Sequence, residues 1–216
     1  MITNDKKFLI DFLGLHPLYR CEKKLPSLSS PFLKLNSIKE KVSNCKNCSL
    51  YESRKSIVFG DGDLDRPWMF IGDAPGESED LSGKPFVGAA GMLLDKMILA
   101  MKLKRYSNTY ITNVIKCHPP NNRSPNYSEI NNCQNYLFQQ INLINPLIII
   151  TLGKIAANTI LKNNVALNVL RGKIHQHNKI NVLCTYHPSY LLRNPAEKRK
   201  SWEDLCMALD FIKRKE

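Results

Sequence analysis

The stretch GDAPGESEDLSGKPFVGAAG (72–91) places a carboxylate, a tight turn and one aromatic side chain close together. Asp73 lies in a turn bounded by Gly72 and Gly76, and Phe86 directly follows a proline. Glycine allows tight turns and a close approach of the backbone to a ligand. The combination therefore indicates a pocket in which a carboxylate and an aromatic ring face the same ligand.

Four cysteines form a second candidate site. Cys45 and Cys48 are a C-x2-C pair, and Cys117 and Cys133 follow with 15 residues between them. Four thiolates can hold a zinc ion or a 4Fe-4S cluster, and the spacing alone does not choose between the two. A third possibility is that no metal is shared, because buried cysteine often serves as a small hydrophobic residue. We interpret the three remaining cysteines in that way: Cys21, Cys184 and Cys206.

Short apolar runs alternate with helix-length segments along the chain, and together they predict the fold. The apolar runs that read as buried strands are WMFIG (68–72), TYITNVI (109–115), PLIIITLG (146–153) and INVLCTY (180–186). Apolar residues at helical spacing occupy 91–103, 128–144, 154–162 and 200–214. This alternation predicts a doubly wound, three-layer α/β sandwich with a central four-stranded parallel sheet and helices on both faces.

The chemically unusual residues follow the predicted strands. GDAPG follows the first strand, NVIKCHPP runs out of the second, and HPSYLLR follows the fourth. In a sheet of this kind, ligands bind in the crevice at the carboxyl ends of the strands. Taken alone, each candidate also has a structural interpretation: Asn113 as a strand-end cap, His187 as a loop histidine and Phe86 as a core residue.

The charge of the chain indicates its partner. Lys and Arg total 31 against 19 Asp and Glu, which gives a formal net charge of +12. Such an excess favours a polyanionic partner such as nucleic acid, although it also serves solubility. At 216 residues the chain has room for one domain, and we expect residues 1–36 to be an N-terminal extension of unknown role before a domain at 37–216.

Several features indicate the compartment. The seven cysteines, an odd number without the spacing of a disulfide scaffold, favour a reducing environment. The first residues lack the order of a signal peptide. No apolar run approaches the roughly 20 residues that cross a bilayer. We therefore expect a cytoplasmic protein without a membrane segment.

Four blocks occur in a fixed order: GDAPGESEDLSGKPFVGAAGMLLD, YITNVIKCHPPNNRSP, TLG and TYHPSYLLRNPAEKRKSWEDL. Together they resemble the iron-sulfur (family 4) uracil-DNA glycosylases of the uracil-DNA glycosylase superfamily. The resemblance spans residues 45 to about 210. It implies that 37–216 is a catalytic domain of a monofunctional enzyme that flips uracil out of DNA and hydrolyses its N-glycosidic bond. It also implies a structural 4Fe-4S cluster on Cys45, Cys48, Cys117 and Cys133.

The resemblance assigns catalysis to Asp73 and His187. His187 would donate a hydrogen bond to uracil O2 and stabilise the departing base anion. Asp73 would stabilise the cationic sugar and orient or deprotonate the attacking water. Where this chain has Asp73 the family most often has glutamate, so the carboxylate lies one methylene further back.

The resemblance also assigns the base pocket. Phe86 would stack on the uracil ring, and the turn at 72–76, including Ala74, would present backbone amides to a uracil carbonyl. The amide of Asn113 would donate to O4 and accept from N3–H, a pattern that cytosine does not match. Glu79 would lie near C5, where bulk excludes the methyl group of thymine.

DNA contacts are expected around the same motifs. Leu191 or Leu192 would fill the space left by the flipped base. The residues expected to contact phosphates are Lys84, Arg123, Ser189 and Arg193. The basic run RNPAEKRK (193–200) would extend this surface.

The expected partner is uracil-containing DNA, single- or double-stranded, with replication or repair proteins as further candidates. We expect a monomer associated with the nucleoid. Two alternatives remain open: a non-catalytic iron-sulfur DNA-binding module, and a glycosylase of the same fold that acts on other deaminated bases such as hypoxanthine.

Overall fold

The computed structural model describes residues 31–214. Its strands are β1 (Asp61–Gly62), β2 (Trp68–Gly72), β3 (Thr109–Asn113), β4 (Ile148–Leu152), β5 (Ile174–His177) and β6 (Ile180–Thr185). Its helices are α1 (Pro31–Ser43), α2 (Leu50–Ser53), α3 (Glu77–Ser82), α4 (Ala89–Ala100), α5 (Tyr127–Ile144), α6 (Lys154–Leu161), α7 (Leu167–Leu170), α8 (Pro188–Arg193) and α9 (Lys198–Lys213). Short 3-10 turns occupy Pro120–Asn122 and Pro195–Glu197.

The strands form one mixed sheet in the order β1-β3-β2-β4-β6-β5. The inner strands β3, β2, β4 and β6 pair in parallel, whereas β1 and β5 pair antiparallel at the two edges. The predicted α/β class is confirmed, but the sheet has six strands, two more than were predicted. The two edge strands were not predicted because β1 has two residues and β5 reads IHQH, without an apolar run.

The inner strands are largely apolar and almost completely buried because both faces of the sheet are covered. Phe70 and Ile150 point to one face, where they pack in a core with residues of α4 and α9. Met69 and Ile149 point to the opposite face and pack with residues of α1, α5 and α6. Side chains alternate between faces along a strand, so each strand contributes to both cores.

Helix α1 joins the N-terminal part of the described chain to the core. It begins at Pro31, a residue that suits the first turn of a helix because its missing N–H would have no partner there. Leu35, Ile38 and Val42 are buried along one side of the helix. The domain boundary predicted between residues 36 and 37 therefore falls inside a packed helix, while residues 1–30 of the predicted extension lie outside the described range.

The parallel strands end at one edge of the sheet. Gly72, the last residue of β2, pairs in register with Asn113, the last residue of β3. β4 and β6 end nearby at Leu152 and Thr185, which also pair. The segments that follow these strands therefore converge on one side of the molecule. Over residues 31–214, none of the helices has the length and apolarity to span a membrane.

Candidate active site

A cavity lies at the carboxyl ends of the parallel strands. Its walls come from the turn after β2, the end of β3, the loop before α5, the start of α6 and helix α8. The predicted site residues that line it are Asp73, Ala74, Glu79, Phe86, Asn113, Arg123, His187, Ser189 and Arg193. The fold thus brings together residues that are more than 100 positions apart in the sequence.

Asp73 binds the beginning of helix α6. Its Oδ1 accepts a hydrogen bond from the backbone N–H of Ala156 at 2.8 Å. The first amides of a helix have no partner inside the helix, and this end of the helix dipole attracts negative charge. Burial nevertheless raises the pKa of Asp73 to about 7, because loss of water outweighs the hydrogen bond from Ala156. The carboxyl group therefore exchanges a proton near neutral pH, which suits a general base.

The tautomer of His187 is set by Ser189, the second residue of helix α8. The backbone N–H of Ser189 donates to His187 Nδ1 at 3.1 Å, so Nδ1 is an acceptor and the proton of the neutral ring is on Nε2. The Ser189 hydroxyl lies 2.8 Å from the same nitrogen. Burial lowers the pKa of His187 to about 4, with a further contribution from Arg193 that Glu79 opposes. The ring is therefore a neutral hydrogen-bond donor at pH 7.

Gly153 keeps these two side chains close to each other. Its φ of +104° lies in a region that side-chain-bearing residues rarely adopt. A Cβ atom there would lie 3.1 Å from Asp73 Oδ2 and 3.3 Å from His187 Cβ. The glycine of the TLG block therefore leaves room for both the Asp73 carboxylate and the Cβ atom of His187.

Asn113 presents an unpaired acceptor to the cavity. Its side chain is 1 % exposed, and Oδ1 has no hydrogen-bond partner within residues 31–214. A Cβ atom on Gly72 would lie 2.5 Å from this oxygen and 2.6 Å from Phe86 Cζ, so glycine is needed for all three residues to converge. A buried acceptor without a partner costs roughly 1–3 kcal/mol. A donor on a ligand in the cavity, such as an imide N–H, would satisfy it.

Phe86 adopts a conformation that is unusual for an aromatic residue. Its φ of 52° is left-handed, and backbone strain of this kind occurs preferentially at ligand sites. The ring is buried, belongs to the core beside α4, and lies 5.6 Å from the His187 ring at an interplanar angle of 32°. Phe86 therefore belongs to the core and lines the cavity as well.

Comparison with known proteins identifies the family. The family profile described as Uracil DNA glycosylase superfamily matches residues 59–206. The chain belongs to the uracil-DNA glycosylase superfamily. It is 40% identical over 181 residues to a Type-4 uracil-DNA glycosylase of Pyrobaculum aerophilum, covering 80% of this chain and 92% of the relative. The Type-4 uracil-DNA glycosylase of Thermotoga maritima is 41% identical, covering 82% and 94%, and that of Saccharolobus solfataricus is 43% identical, covering 84% and 88%.

Glu79 connects two segments of this glycosylase-superfamily site. Its Oε2 accepts from the N–H of Gly76 at 3.1 Å, and its Oε1 accepts from the N–H groups of Val87 at 2.8 Å and Gly88 at 2.9 Å. The carboxylate therefore holds the turn after Asp73 against the loop that carries Phe86. From the sequence, Glu79 was predicted only to lie near C5 of the base. Its contacts with these backbone amides were not predicted, because they depend on the three-dimensional arrangement.

The four predicted metal ligands surround a second cavity. Cys45, Cys48, Cys117 and Cys133 line it together with residues of α1, α2 and α5. Arg54 Nη1 donates to Cys117 Sγ at 3.3 Å, which places a positive charge beside the thiols. In the part of the chain that the structure describes, no group of three or more His, Cys, Asp or Glu side chains is arranged to hold a single metal ion. Four thiols around one cavity are the donor set that a 4Fe-4S cluster uses.

The predicted DNA-contacting residues differ in their environment. Arg123 donates to Glu129 through Nη1 at 2.9 Å and Nη2 at 2.6 Å, so its guanidinium group already has a carboxylate partner. Lys84 is exposed but does not line the cavity. Leu191 is 1 % exposed and Leu192 is 43 % exposed. Of the two leucines predicted as alternatives for the wedge, Leu191 is thus buried and Leu192 is at the surface.

The basic run 193–200 is partly neutralised within the chain. Lys200 Nζ lies 2.9 Å from Glu197 Oε2, and Arg199 Nε lies 3.0 Å from Glu203 Oε1. Arg193 lines the cavity instead. The contribution of this run to a basic surface is therefore smaller than its sequence indicates.

Several residues that support or line the site were not predicted. Lys154, Tyr186 and Tyr190 line the cavity, although none of them was predicted as a site residue. Lys116 is fully buried and donates to Gln140 Oε1 at 2.6 Å, to Thr112 Oγ1 at 2.7 Å and to the backbone oxygen of Asn113 at 2.8 Å. Its position between Asn113 and Cys117 in the sequence is the signal that could have indicated such a supporting role.

A second buried network supports the segment that leads to His187. Asp204 Oδ2 accepts from the Thr185 hydroxyl at 2.8 Å and from Arg171 Nε at 3.1 Å. Asp204 Oδ1 accepts from the N–H of Gly172 at 3.1 Å. The network fixes the end of β6 against helix α9, two residues before His187.

We predict that Asn113→Leu lowers uracil excision without loss of stability. The change removes an unpaired buried acceptor, which is neutral or stabilising, and it also removes the group predicted to accept a hydrogen bond from uracil N3–H. We expect kcat/KM to fall by about 10-fold or more and the urea midpoint of unfolding to be unchanged or higher, since one good hydrogen bond to a buried polar group is worth roughly 1–3 kcal/mol.

Asn158→Leu is the matched control. The Oδ1 of Asn158 is also buried without a partner among the described residues, but Asn158 does not line the cavity. This variant should show the same stability change with kcat/KM as in the wild type. Equal activity of both variants would contradict a base-reading role for Asn113.

Proposed function

We propose that this chain is a monofunctional uracil-DNA glycosylase of base excision repair, which releases uracil and leaves an abasic site. The observation that carries the proposal is the unpaired Oδ1 of Asn113, buried beside Phe86 and His187 in one cavity. Uracil supplies what this cavity lacks: a flat ring for the aromatic side chain and an N3–H donor for the amide oxygen. The proposal includes residues 37–216 as the catalytic domain, with the whole of helix α1 from Pro31 packed on its core, and a doubly wound, three-layer arrangement around the parallel strands.

The pocket would discriminate between bases by hydrogen bonding. Cytosine carries an acceptor at N3 and a donor at C4, so it would place an acceptor against Asn113 Oδ1. A mismatch of this kind in a buried site leaves polar groups unpaired and is strongly disfavoured. The target nucleotide must leave the base stack to reach the pocket, and uracil pairs weakly enough in a mismatch to make this step easier.

His187 and Asp73 would share the bond-breaking step. As the N-glycosidic bond lengthens, electrons move into the base and negative charge grows on O2. The neutral Nε2–H of His187 donates to that oxygen, which stabilises the leaving anion without transferring a proton first. The sugar becomes an oxocarbenium-like cation, which the Asp73 carboxylate stabilises while it accepts a proton from the attacking water.

The formal charge of +12 supports DNA as the partner. Arg193 and Lys154 line the cavity and would contact phosphates beside the flipped nucleotide. Leu192, at the surface of α8, would fill the space left by the base. We further propose that the protein acts as a monomer in the cytoplasm, at the nucleoid, where its substrate lies.

The proposed cofactor is a structural 4Fe-4S cluster held by Cys45, Cys48, Cys117 and Cys133. When bound, such a cluster links the segment between α1 and α2 to the sheet side of α5, and we assign it no step of the reaction. Arg54, which donates to Cys117 Sγ, would offset the negative charge of the thiolates.

We predict that Cys45→Ala removes the cluster. The purified wild type should be brown with absorbance near 400 nm, and the variant should lose most of this absorbance and its iron, because one of the four ligands is gone. Cys206→Ala is the control, since Cys206 is half-buried in α9 and does not line the cavity of the four thiols. Unchanged iron content in Cys45→Ala would contradict the ligand assignment.

The test of the function is release of uracil from a labelled oligonucleotide, scored by alkaline cleavage at the abasic site. Wild type with its cluster should excise uracil and leave otherwise identical cytosine and thymine oligonucleotides intact. Excision of hypoxanthine alone would favour the alternative glycosylase. Tight DNA binding without release of any base would favour a non-catalytic module.

A further inference from the structure

We propose that Tyr190 is a stacking platform for the base next to the flipped uracil, and that the site therefore prefers single-stranded DNA. This inference rests on the proposed function and extends it to the choice of strand. The observation behind it is an aromatic stack at the wall of the cavity, formed by residues to which the glycosylase motifs assign no role.

Three side chains form the stack: Arg171, Tyr186 and Tyr190. Tyr190 lines the cavity and is 36 % exposed. Its ring stacks on that of Tyr186, with 5.0 Å between the ring centroids and an interplanar angle of 29°. On the ring of Tyr186, the guanidinium carbon of Arg171 lies 4.9 Å from the centroid. These three contacting side chains form a column, in which Tyr190 is the more exposed of the two rings.

The column is held in place before any ligand binds. Arg171 is ion-paired with buried Asp204 at 2.9 Å, so the base of the column is fixed. Tyr190 lies in helix α8, and its backbone N–H donates to the oxygen of His187 at 2.9 Å. A preorganised aromatic ring loses little conformational entropy when a base stacks on it, so more of the stacking energy appears as affinity.

The position of the column determines which base it would meet. Tyr190 is three residues after His187, which donates to the flipped base in the proposed reaction. The cations Lys154 and Arg193 line the same cavity and would contact the phosphates on either side of the flipped nucleotide. The ligand next to the uracil on this wall is therefore a nucleobase on a charged backbone, the class that aromatic and basic grooves bind in single strands.

The strand preference follows from base pairing. In a duplex the neighbouring base is paired and stacked within the helix, so moving it onto Tyr190 would require a second unpairing event. In a single strand the neighbouring base is free to stack on the ring. The contribution of Tyr190 should thus appear with single-stranded substrates and be small with duplex substrates.

The experiment measures uracil release by Tyr190→Ala and Tyr190→Phe on four substrates: a single strand, the same strand in a duplex, and two single strands with a base-free residue either before or after the uracil. We expect Tyr190→Ala to raise KM on the single strand by about 5- to 100-fold, because stacking on an aromatic side chain contributes roughly 1–3 kcal/mol per base. Tyr190→Phe should keep nearly the wild-type KM. The difference between wild type and Tyr190→Ala should vanish on one of the base-free strands.

Tyr127→Ala is the control variant, because Tyr127 is 79 % exposed at the start of α5 and does not line the cavity. It should match the wild type on every substrate. Equal losses on single strand and duplex would overturn the strand preference. A loss in Tyr190→Phe, or one that persists on both base-free strands, would overturn stacking. Normal kinetics of Tyr190→Ala would overturn the inference and leave the proposed function standing, whereas a wild type that releases no uracil would overturn the proposed function itself.

Discussion

Asp73→Asn should lower kcat for uracil release by about 100- to 10,000-fold, the range in which general bases contribute. The amide can still accept the hydrogen bond from Ala156, so helix α6 keeps its N-terminal contact, but it neither accepts a proton from water nor carries the negative charge that stabilises the sugar cation. Single-turnover kinetics with saturating enzyme would measure the change directly. KM should change much less than kcat, because Asp73 acts on the reacting atoms.

Glu77→Gln is the matched control, since Glu77 is an exposed acid four residues along the chain and does not line the cavity. It should keep wild-type kcat. If Glu77→Gln and Asp73→Asn had the same activity, Asp73 would not be the base.

The pH dependence provides a separate signature of Asp73. Its pKa is raised to about 7, and the ionised form is the active one, so wild-type kcat should rise with pH up to about 7 and level off above it. Between pH 4 and 7 the folded state keeps a proton that the unfolded state, with the ordinary pKa of 3.8, releases. Ionising Asp73 therefore destabilises the fold as pH rises through this window. The free energy of unfolding of Asp73→Asn should exceed that of the wild type by a margin that grows from pH 4 to pH 7.

The pKa of His187 is shifted in the opposite direction from that of Asp73. The same pH experiment therefore distinguishes the two residues. Its pKa is lowered from 6.5 to about 4, so between these values the unfolded state binds the proton and the folded state does not. This difference in proton binding by His187 contributes stability to the fold as pH rises from 4 to 6.5. In Asp73→Asn the opposing contribution of Asp73 is absent, so the stability of that variant should rise more, or fall less, with pH over this range than that of the wild type.

His187→Ala should lower kcat by about 100- to 1,000-fold, the usual loss when one donor to a developing oxyanion is removed. A substrate with a better leaving group, such as 5-fluorouracil in place of uracil, should lose less, because its anion needs less stabilisation. This difference between substrates is a readout that a purely structural role would not change.

Ser189→Ala tests how the ring is held. The backbone N–H of Ser189 would still donate to Nδ1, so only the hydroxyl contact is lost, and we expect a decrease in kcat of a few-fold. A loss in Ser189→Ala as large as that in His187→Ala would contradict the assignment of His187 as the direct donor.

The strands that carry the site were predictable because their burial is visible in the sequence. β2, β3 and β4 are buried at every position, and a continuous apolar run is typical of a parallel strand covered on both faces. The motif residues follow these strands, so their meeting at one edge of the sheet follows from the topology. The edge strand β5 has no such run, and its pairing depends on the turn before β6.

The contacts that organise the site were not predictable, because they join distant residues. Asp73 meets Ala156 across 83 positions, and Glu79 reaches amides of a loop whose path depends on the left-handed φ of Phe86. The two leucines illustrate the limit for neighbouring residues. Adjacent side chains on a helix differ by about 100° in direction, so the orientation of α8 decides that Leu191 is buried and Leu192 is exposed.

The hydrogen bond from Ala156 to Asp73 makes one backbone amide a reporter of the state of the active site. This amide is protected from exchange with solvent deuterium as long as the carboxyl group accepts its proton, and the ionised form accepts it more strongly than the neutral acid. Its exchange rate should therefore slow as the pH passes through 7, after correction for the intrinsic rate. Following that amide in the presence of an abasic product would show whether the carboxyl group still holds the proton taken from water. The measurement needs no label or substrate analogue in the active site.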